Sequence, residues 1–187
     1  MSRHTRREFL STLSVTAVGT LAAPRLLRAA AQLPRPARVF VGSHAPDGIL
    51  AFDWDSATAT LTRVDVAAKV PNVAWLALSQ GFIYSASELD TFDGKTTGEV
   101  ASFRIAGGEL QSISARNSAG TGTCHVAVDA TGRMLLAADY TGASAASFKI
   151  ADGKLSEAVW TEHYTEHGPN VDRQEKAPRA LCLVLAG

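Results

Sequence analysis

Two short sequence patterns recur in the same order along this chain, and that repeat constrains the fold more than any other feature. In the first pattern, a run of small and apolar residues ends in a phenylalanine and is followed by a turn and a leucine. In the second, apolar and small residues alternate just before another turn. The first pattern occupies Gly48–Phe52, Glu99–Phe103 and Ser144–Phe148, with Leu61, Leu110 and Leu155 after the turns, and the second occupies Trp75–Ser79 and His125–Asp129. Such runs, bounded by Gly, Pro, Asp and Ser and lacking a helical period, predict β-strands.

The spacing of the repeat predicts the architecture. Phe52 and Phe103 are 51 positions apart, and Phe103 and Phe148 are 45 apart. A period of roughly 40–50 residues made of four short strands is typical of a β-propeller blade. A generic antiparallel sandwich also has closely spaced strands, but paired motifs in a fixed order favour the propeller. We therefore predict an all-β propeller fold with about three blades, and we expect the chain to be an incomplete part, because propellers close with about 4–8 blades.

The charges are distributed unevenly along the chain. The whole sequence holds 18 Lys+Arg and 18 Asp+Glu, for a formal net charge of zero. It therefore lacks the basic excess that a nucleic-acid-binding protein needs to neutralise phosphates, and we expect no nucleic-acid partner. Residues 1–31, in contrast, hold five arginines and one acid, Glu8. The basic segment is therefore expected to have a role separate from the rest of the chain.

The first 31 residues have the organisation of an export signal. Arg6 and Arg7 precede Glu-Phe-Leu, a weakly apolar run extends from Ser11 to Ala23, and the segment ends in three alanines. A charged start, a short apolar centre and a small-residue cleavage site are the parts of a secretory signal, and paired arginines are typical of the twin-arginine type. The alternative is an amphipathic surface helix or a membrane anchor, although the run is shorter than the roughly 20 residues of a span.

We therefore predict cleavage after Ala31, with the twin-arginine export machinery as a partner. The mature protein is expected in the periplasm or outside the cell, without a stable membrane span. Because the twin-arginine route exports proteins that have already folded, Cys124 and Cys182 are predicted to be free thiols.

Several segments together resemble the bacterial seven-bladed β-propeller lactonase family. They are Gly48–Phe52, Pro71–Glu88, Gly122–Asp129 with Tyr140, and Gly168–Gln174. That family contains the propeller-type 6-phosphogluconolactonases and is similar to the carboxy-muconate lactonising enzymes. The resemblance runs from about Val39 to Glu175 and would cover less than half of a family member. It implies that the parent protein is a carboxylic-ester hydrolase acting on a small sugar-derived lactone.

The end of the chain departs from the family pattern. Family members continue after Arg-Gln-Glu with Pro-His-Ala-His-Ser, whereas this chain has Ala-Pro-Arg-Ala-Leu-Cys at residues 177–182. The codons of residues 177–183, moved by one base, are compatible with Pro-His-Ala-His-Ser-Val. We therefore expect a single-base frameshift near Lys176. Residues 32–176 would then form the N-terminal blades, residues 177–187 an out-of-frame tail, and the chain alone an inactive part of the enzyme.

Two candidate catalytic residues follow from the chemistry and the resemblance. Lactone hydrolysis needs a base that activates water and donors that hold the oxyanion. His125 stands at the start of an inner-strand pattern. The resemblance also places Glu88 in an inner loop where family members tend to carry an acid. The alternatives are a histidine packed between blades with its ring hydrogen-bonded to backbone, and a carboxylate that only caps its loop.

The remaining candidates lie in the segment Gly168–Gln174, where the resemblance is best. Arg173 is predicted to be catalytic, because a guanidinium group can hold an oxyanion or meet a substrate carboxylate or phosphate. Asn170 and Gln174 are predicted to bind the substrate. The alternative for Arg173 is a surface ion pair with Asp172, which contributes little.

The remaining motifs do not support a metal or cofactor site. His163 and His167 have the spacing of a metal-binding pair, but Gly168 and Pro169 follow at once, so we predict a solvated connecting loop. Asp53 and Asp55 are predicted to be turn residues. The sequence contains no Gly-rich phosphate loop, nucleophile elbow or nucleotide fingerprint. We therefore predict neither a metal nor a cofactor.

Two functions remain open from the sequence. The first is an exported lactonase that hydrolyses a sugar-derived lactone by direct attack of water. The second is a non-catalytic β-propeller that binds a partner or a carbohydrate in the periplasm. An export signal favours the second function or a changed substrate, because 6-phosphogluconolactone is a cytoplasmic metabolite.

Overall fold

The computed structural model describes residues 37–165, and all regular structure in that range is β-strand. No helix in this part of the chain could cross a membrane. The strands of residues 37–165 are β1 (Ala37–Gly42), β2 (Ile49–Asp55), β3 (Thr60–Ala68), β4 (Val73–Ser79), β5 (Phe82–Ser87), β6 (Glu99–Ala106), β7 (Glu109–Asn117), β8 (Thr123–Val128), β9 (Met134–Asp139), β10 (Ser144–Ala151) and β11 (Lys154–His163).

These strands form three sheets in chain order. Strands β1–β3 make sheet 1, β4–β7 make sheet 2, and β8–β11 make sheet 3. In sheets 2 and 3 each strand pairs antiparallel with the next one along the chain. Within residues 37–165, sheet 1 has no strand equivalent to β4 or β8. Two four-stranded sheets and one three-stranded sheet confirm the predicted repeat of about three blades.

The phenylalanine pattern marks the same structural position in every sheet. The phenylalanines lie on β2, β6 and β10, and the pairing with the next strand shifts register just before each of them, at Phe52, Phe103 and Phe148. The leucines after the turns also occupy equivalent sites, because each pairs with the residue two positions beyond the phenylalanine. A repeated bulge at one site bends each sheet in the same way, which explains why the pattern recurs.

Sheet 2 packs against both of its neighbours and separates two cores. The core between sheets 1 and 2 includes Ile49, Val73 and Phe103. The core between sheets 2 and 3 includes Tyr84 and Phe148, among other residues. Successive side chains of the central strands β5 and β6 point to opposite faces of sheet 2. Alternate apolar residues of these strands therefore belong to different cores.

Burial of the repeated residues depends on whether a neighbouring sheet covers them. Phe103 and Phe148 are 2% and 0% exposed, and Leu155 is 1% exposed. The equivalent residues of sheet 1 face the side that no other described sheet covers, and Leu61 there is 52% exposed. The same sequence pattern therefore produces core residues in sheet 3 and surface residues in sheet 1.

Two predictions about local structure were wrong. Asp53 is a strand residue of β2 rather than a turn residue, and its Oδ1 lies 3.0 Å from Nε of Arg38. His163 ends β11 instead of lying in a connecting loop. Asp55 does act as a turn residue, because its carboxylate accepts hydrogen bonds from the Ala57 amide and the Thr58 hydroxyl, which lower the pKa of Asp55.

Candidate functional site

One end of the sheets carries several polar side chains of the types that act in acid–base catalysis or substrate binding. At this end β4 and β8 begin and β5 and β9 end. We call it the site end and define it by His44, Asn72, Glu88, Cys124 and Tyr140. These residues come from different loops and strand ends, so the fold, rather than local sequence, brings them to one end of the sheets.

Glu88 is held at the site end by its own backbone. Its amide donates to the carbonyl of Asn72 at 2.9 Å, and the Asn72 side-chain amide donates back to the Glu88 carbonyl at 3.3 Å. Asn72 has a left-handed backbone with φ of 49°, a conformation that asparagine tolerates better than most residues. These two hydrogen bonds use only the backbone of Glu88. They fix its position and leave its carboxylate available for other partners.

The partner found for the Glu88 carboxylate is a histidine from sheet 1. Nε2 of His44 lies 3.7 Å from Oε2 of Glu88, and the two side chains are 63% and 38% exposed. An exposed pair of this kind stabilises the fold little. A carboxylate next to an imidazole can, however, orient the ring and exchange a proton with it.

Backbone hydrogen bonds connect the loops of the site end to one another. The amide of Gly122 donates to the carbonyl of Leu89, and the amide of Tyr140 donates to the carbonyl of Gly122. Gly122 has φ of 66°, and a Cβ there would lie 2.6 Å from the Thr141 hydroxyl oxygen. Glycine is therefore needed at residue 122 to let these loops approach.

His125 lies on β8, the edge strand of sheet 3 that contacts β4 of sheet 2. Its ring centroid is 4.4 Å from that of Trp75, with the ring planes tilted by 46°. Burial lowers the pKa of His125 below the ordinary value of 6.5. The imidazole is therefore neutral at neutral pH and can accept a proton from water.

Cys124, next to His125, has the opposite character. Burial raises the pKa of the Cys124 thiol, and the negative charges of Glu88 and Asp139 raise it further. Its Sγ lies 3.6 Å from the carbonyl oxygen of Ala138, and it forms no disulfide. Because the thiolate is the reactive form of cysteine, Cys124 is poorly suited to act as a nucleophile. Cys182 lies outside the described residues.

A buried hydrogen-bond network supports the start of β8. The carboxylate of Asp139, which is 0% exposed, accepts hydrogen bonds of 2.8 Å from the hydroxyls of Thr123 and Ser144. Thr123 Oγ1 also lies 2.6 Å from Ser118 Oγ, and the Ser118 hydroxyl donates to the Gly120 carbonyl. Burial raises the pKa of Asp139, and these hydroxyl contacts partly oppose that rise. The network fixes the strand ends immediately before Cys124 and His125.

The equivalent position in sheet 2 also carries a buried acid, but without the same partners. Ser87 and Glu99 pair across β5 and β6, as Asp139 and Ser144 pair across β9 and β10. The acid and the hydroxyl have therefore exchanged strands. Glu99 is 7% exposed, burial raises its pKa, and within residues 37–165 no side chain donates to its carboxylate. The hydroxyl of Ser87 is buried and has no hydrogen-bond partner among the described residues.

The structure brings some predicted site residues together and leaves others outside its range. Glu88 and His125 both lie towards the site end, because Glu88 directly follows the end of β5 and His125 lies near the start of β8. The candidates Asn170, Arg173 and Gln174 and the signal residues Arg6 and Arg7 lie outside the described residues. Within residues 37–165, no group of three His, Cys, Asp or Glu side chains could hold a metal ion.

Sequence reasoning missed two residues of the site end and one residue that supports it. His44 and Asn72 contact Glu88 from the β1–β2 and β3–β4 loops, and Asp139 at the end of β9 supports the start of β8. The only signal for them was indirect. Asn72 is part of the segment that carries the family resemblance, and His44 follows a predicted strand of sheet 1 at its carboxyl end.

A family model described as "Lactonase, 7-bladed beta-propeller" matches residues 38–179 of this chain. The chain is also similar to a 6-phosphogluconolactonase of Bacillus subtilis (strain 168). The two are 30% identical over 145 residues, which is 73% of this chain and 40% of the relative.

Solved structures show the same relationship. A periplasmic gluconolactonase of Pseudomonas aeruginosa is 26% identical, with a TM-score of 0.60 over 71% of this chain and 40% of that protein. A structure from Bacteroides fragilis is 24% identical, with a TM-score of 0.67 over 76% of this chain and 40% of that one, and supports the fold alone. The chain therefore spans about 40% of the length of these relatives.

Proposed function

Since this chain belongs to the seven-bladed β-propeller lactonase family, we propose that the complete protein hydrolyses a sugar-derived lactone of the 6-phosphogluconolactone type. The observation that carries the proposal is the family match over residues 38–179, together with a relative named 6-phosphogluconolactonase. The residues at the site end are chemically suited to this reaction.

In the proposed mechanism His125 is the general base. Its pKa is lowered by burial, so the ring is neutral and can take a proton from the attacking water. Water then adds to the lactone carbonyl, and the ring ester bond breaks to give an open-chain hydroxy acid. The protonated His125 then returns this proton to the leaving alkoxide, and Glu88, next to His44, is proposed to orient the attacking water.

The oxyanion and the polar groups of the substrate need donors as well. We propose that Arg173 stabilises the negative charge that develops on the carbonyl oxygen, and that Asn170 and Gln174 bind the substrate. A guanidinium group suits this role because it presents several donors in a fixed plane and stays protonated. No cofactor or metal is part of this proposal.

We also propose that the protein is exported. Arg6 and Arg7, with the apolar run and the alanines that follow, support a twin-arginine signal cleaved after Ala31. One similar structure is named a periplasmic gluconolactonase, which is consistent with a lactonase outside the cytoplasm. The substrate in that compartment would be a sugar lactone present there rather than a cytoplasmic metabolite.

The test uses the longer protein that we expect a one-base correction near Lys176 to encode. Hydrolysis of 6-phosphogluconolactone and of unphosphorylated gluconolactone is followed by acid release, with the spontaneous rate subtracted. We expect His125→Ala to lower kcat by about 100-fold or more, as loss of a general base does, with a smaller loss for Glu88→Gln. Gln111→Ala is the control, because Gln111 is an exposed polar residue of β7 that takes no part in the proposed site.

Two results separate this proposal from its alternative. A wild-type protein that is folded but hydrolyses neither lactone favours a non-catalytic binding module. Full activity of the His125→Ala protein removes this residue from the mechanism while leaving the lactonase assignment in place. Preference between the two lactones shows whether a phosphate group is part of the substrate.

A further inference from the structure

A second concave site lies at the opposite end of the same sheets. A cavity of about 180 Å³ opens between sheets 2 and 3, where the β4–β5, β8–β9 and β10–β11 turns meet. Its lining includes Gln80, Phe82, Tyr84, Arg133 and Asp152. None of these residues takes part in the lactonase proposal, so the cavity needs an explanation of its own.

Tyr84 lines the cavity and carries a phenol hydroxyl. The Tyr84 residue as a whole is 1% exposed. Burial raises the pKa of Tyr84, so its hydroxyl stays protonated and can donate. A protonated phenol in the lining of a cavity is therefore a donor for a ligand hydroxyl.

The cavity is not a result of loose packing. A Cβ on Gly153 would lie 2.3 Å from ring atoms of Phe82, and the guanidinium carbon of Arg104 lies 4.8 Å from the centroid of that ring. A Cβ on Gly132 would lie 2.4 Å from the Gln80 side-chain nitrogen. The turn backbones therefore lie close to the side chains that line the cavity, and the positive φ angles of both residues favour glycine.

The rim is also held in place. The Gln80 side-chain amide donates to the Thr131 carbonyl at 3.2 Å and so connects sheet 2 to the β8–β9 turn. Asp129 organises that turn by accepting hydrogen bonds from the Thr131 hydroxyl and the amides of Arg133 and Met134. The Thr131 hydroxyl is the main cause of the low pKa of Asp129, about 2. Because this cavity is preformed, ordering its walls around a ligand costs little binding free energy.

Size and chemistry together indicate the class of ligand. Engineered apolar cavities of about 150 Å³ bind benzene, so the cavity has room for one six-membered ring. Its lining combines the aromatic residues Phe82 and Tyr84 with polar side chains, and it includes one basic and one acidic residue, Arg133 and Asp152. We propose that this cavity binds a neutral six-membered-ring sugar, with Tyr84 donating to one sugar hydroxyl and Asp152 accepting from another.

The test uses the 187-residue chain and D-glucose as the probe. Ligand-observed saturation-transfer NMR is suitable, because it tolerates self-association of the protein. We expect transfer to the glucose ring protons and an affinity in the millimolar range. Tyr84→Phe removes only the hydroxyl and is expected to weaken binding at least fivefold. Asp152→Asn keeps a residue that tolerates the left-handed turn conformation and is expected to weaken binding severalfold.

Two control variants locate the binding. Tyr164→Phe removes the hydroxyl of an exposed tyrosine near the end of β11 and is expected to leave glucose binding unchanged. His125→Ala is also expected to leave it unchanged, because that residue belongs to the site end. Far-UV circular dichroism checks that each variant folds, and Asp152→Asn carries the test if Tyr84→Phe does not fold.

Three results would overturn the proposal. They are the absence of saturation transfer to glucose, equal binding by the folded Tyr84→Phe or Asp152→Asn proteins, and loss of binding in His125→Ala. The last result would mean that glucose occupies the proposed lactonase site instead. Because these variants affect different ends of the sheets, failure of this proposal leaves the lactonase proposal standing.

Discussion

The rings of Trp75 and His125 lie 4.4 Å apart, and the two residues occupy equivalent positions in neighbouring sheets. Trp75 pairs with Ala86 just after a register shift in β4, and His125 pairs with Ala138 just after the corresponding shift in β8. The repeat therefore places a tryptophan against the histidine that we propose as the base. Contact with the indole is part of the burial that keeps this imidazole neutral.

Trp75→Ala is expected to raise the pKa of His125 towards its ordinary value of 6.5, because removal of the indole exposes the imidazole to water. The measurement is an NMR titration of the His125 ring protons. Trp160→Ala is the matched control, since Trp160 is a half-exposed tryptophan on β11. An unchanged or lower pKa of His125 in the Trp75→Ala protein contradicts the assigned cause.

Asp139→Ala is expected to destabilise the fold by about 2–4 kcal/mol, because the buried hydroxyls of Thr123 and Ser144 lose their acceptor. Asp139→Asn keeps one carbonyl acceptor and should cost less. Chemical denaturation of the variants and the parent chain measures the difference. Equal stability of the alanine variant and the parent would show that the hydrogen-bond network contributes nothing to folding.

Glu99→Gln is expected to stabilise the protein at neutral pH by on the order of 1 kcal/mol, since the buried carboxylate has no donor among the described residues. Burial raises the folded-state pKa of Glu99 above its ordinary value of 4.5. The protonated acid therefore favours the fold below that value, and this stability is lost as pH rises through the folded-state pKa.

Thermal unfolding at neutral pH and at about pH 4 checks this sign. The gain of the Glu99→Gln variant should be present at neutral pH and shrink in acid. Glu109→Gln is the control, because Glu109 is an exposed acid on β7. A Glu99→Gln protein that is less stable at neutral pH indicates that the carboxylate has a stabilising partner.

Sequencing the coding DNA beyond the Glu175 codon tests the expected domain boundaries. A one-base correction near Lys176 should restore Pro-His-Ala-His and open further strand repeats in the same frame. If the present frame is genuine and no strand repeats follow, the boundary at residue 176 is wrong. The partners of sheets 1 and 3 would then have to come from another chain.

The strands were predictable because their signals are local. Each phenylalanine pattern corresponds to one strand, and the alternating runs at Trp75 and His125 correspond to β4 and β8. The wrong assignment of Asp53 has a tertiary cause. Arg38, on a neighbouring strand, offsets the charge of Asp53 within the sheet, and the sequence around this residue does not reveal that contact.

The site was less predictable because its contacts join distant segments. Glu88 meets His44 from another sheet, and Asp139 meets Thr123 from 16 residues earlier in the chain. The buried carboxylate of Asp139 depends on hydroxyl donors from separate strands. The residues next to Asp139 in the sequence therefore give no indication that it is buried. The exchange of acid and hydroxyl between Ser87 and Glu99 also becomes visible only when the two sheets are superposed strand by strand.

The most direct test of the proposed role of His125 is the pH dependence of kcat/KM for lactone hydrolysis by the longer protein that we expect a one-base correction near Lys176 to encode. If His125 is the base, the rate should be constant at neutral pH and fall in acid through one ionisation below 6.5. Trp75→Ala should move that ionisation upward, and His125→Ala should abolish it. A rate above the spontaneous one whose pH profile is the same in all three proteins contradicts the proposed role of His125.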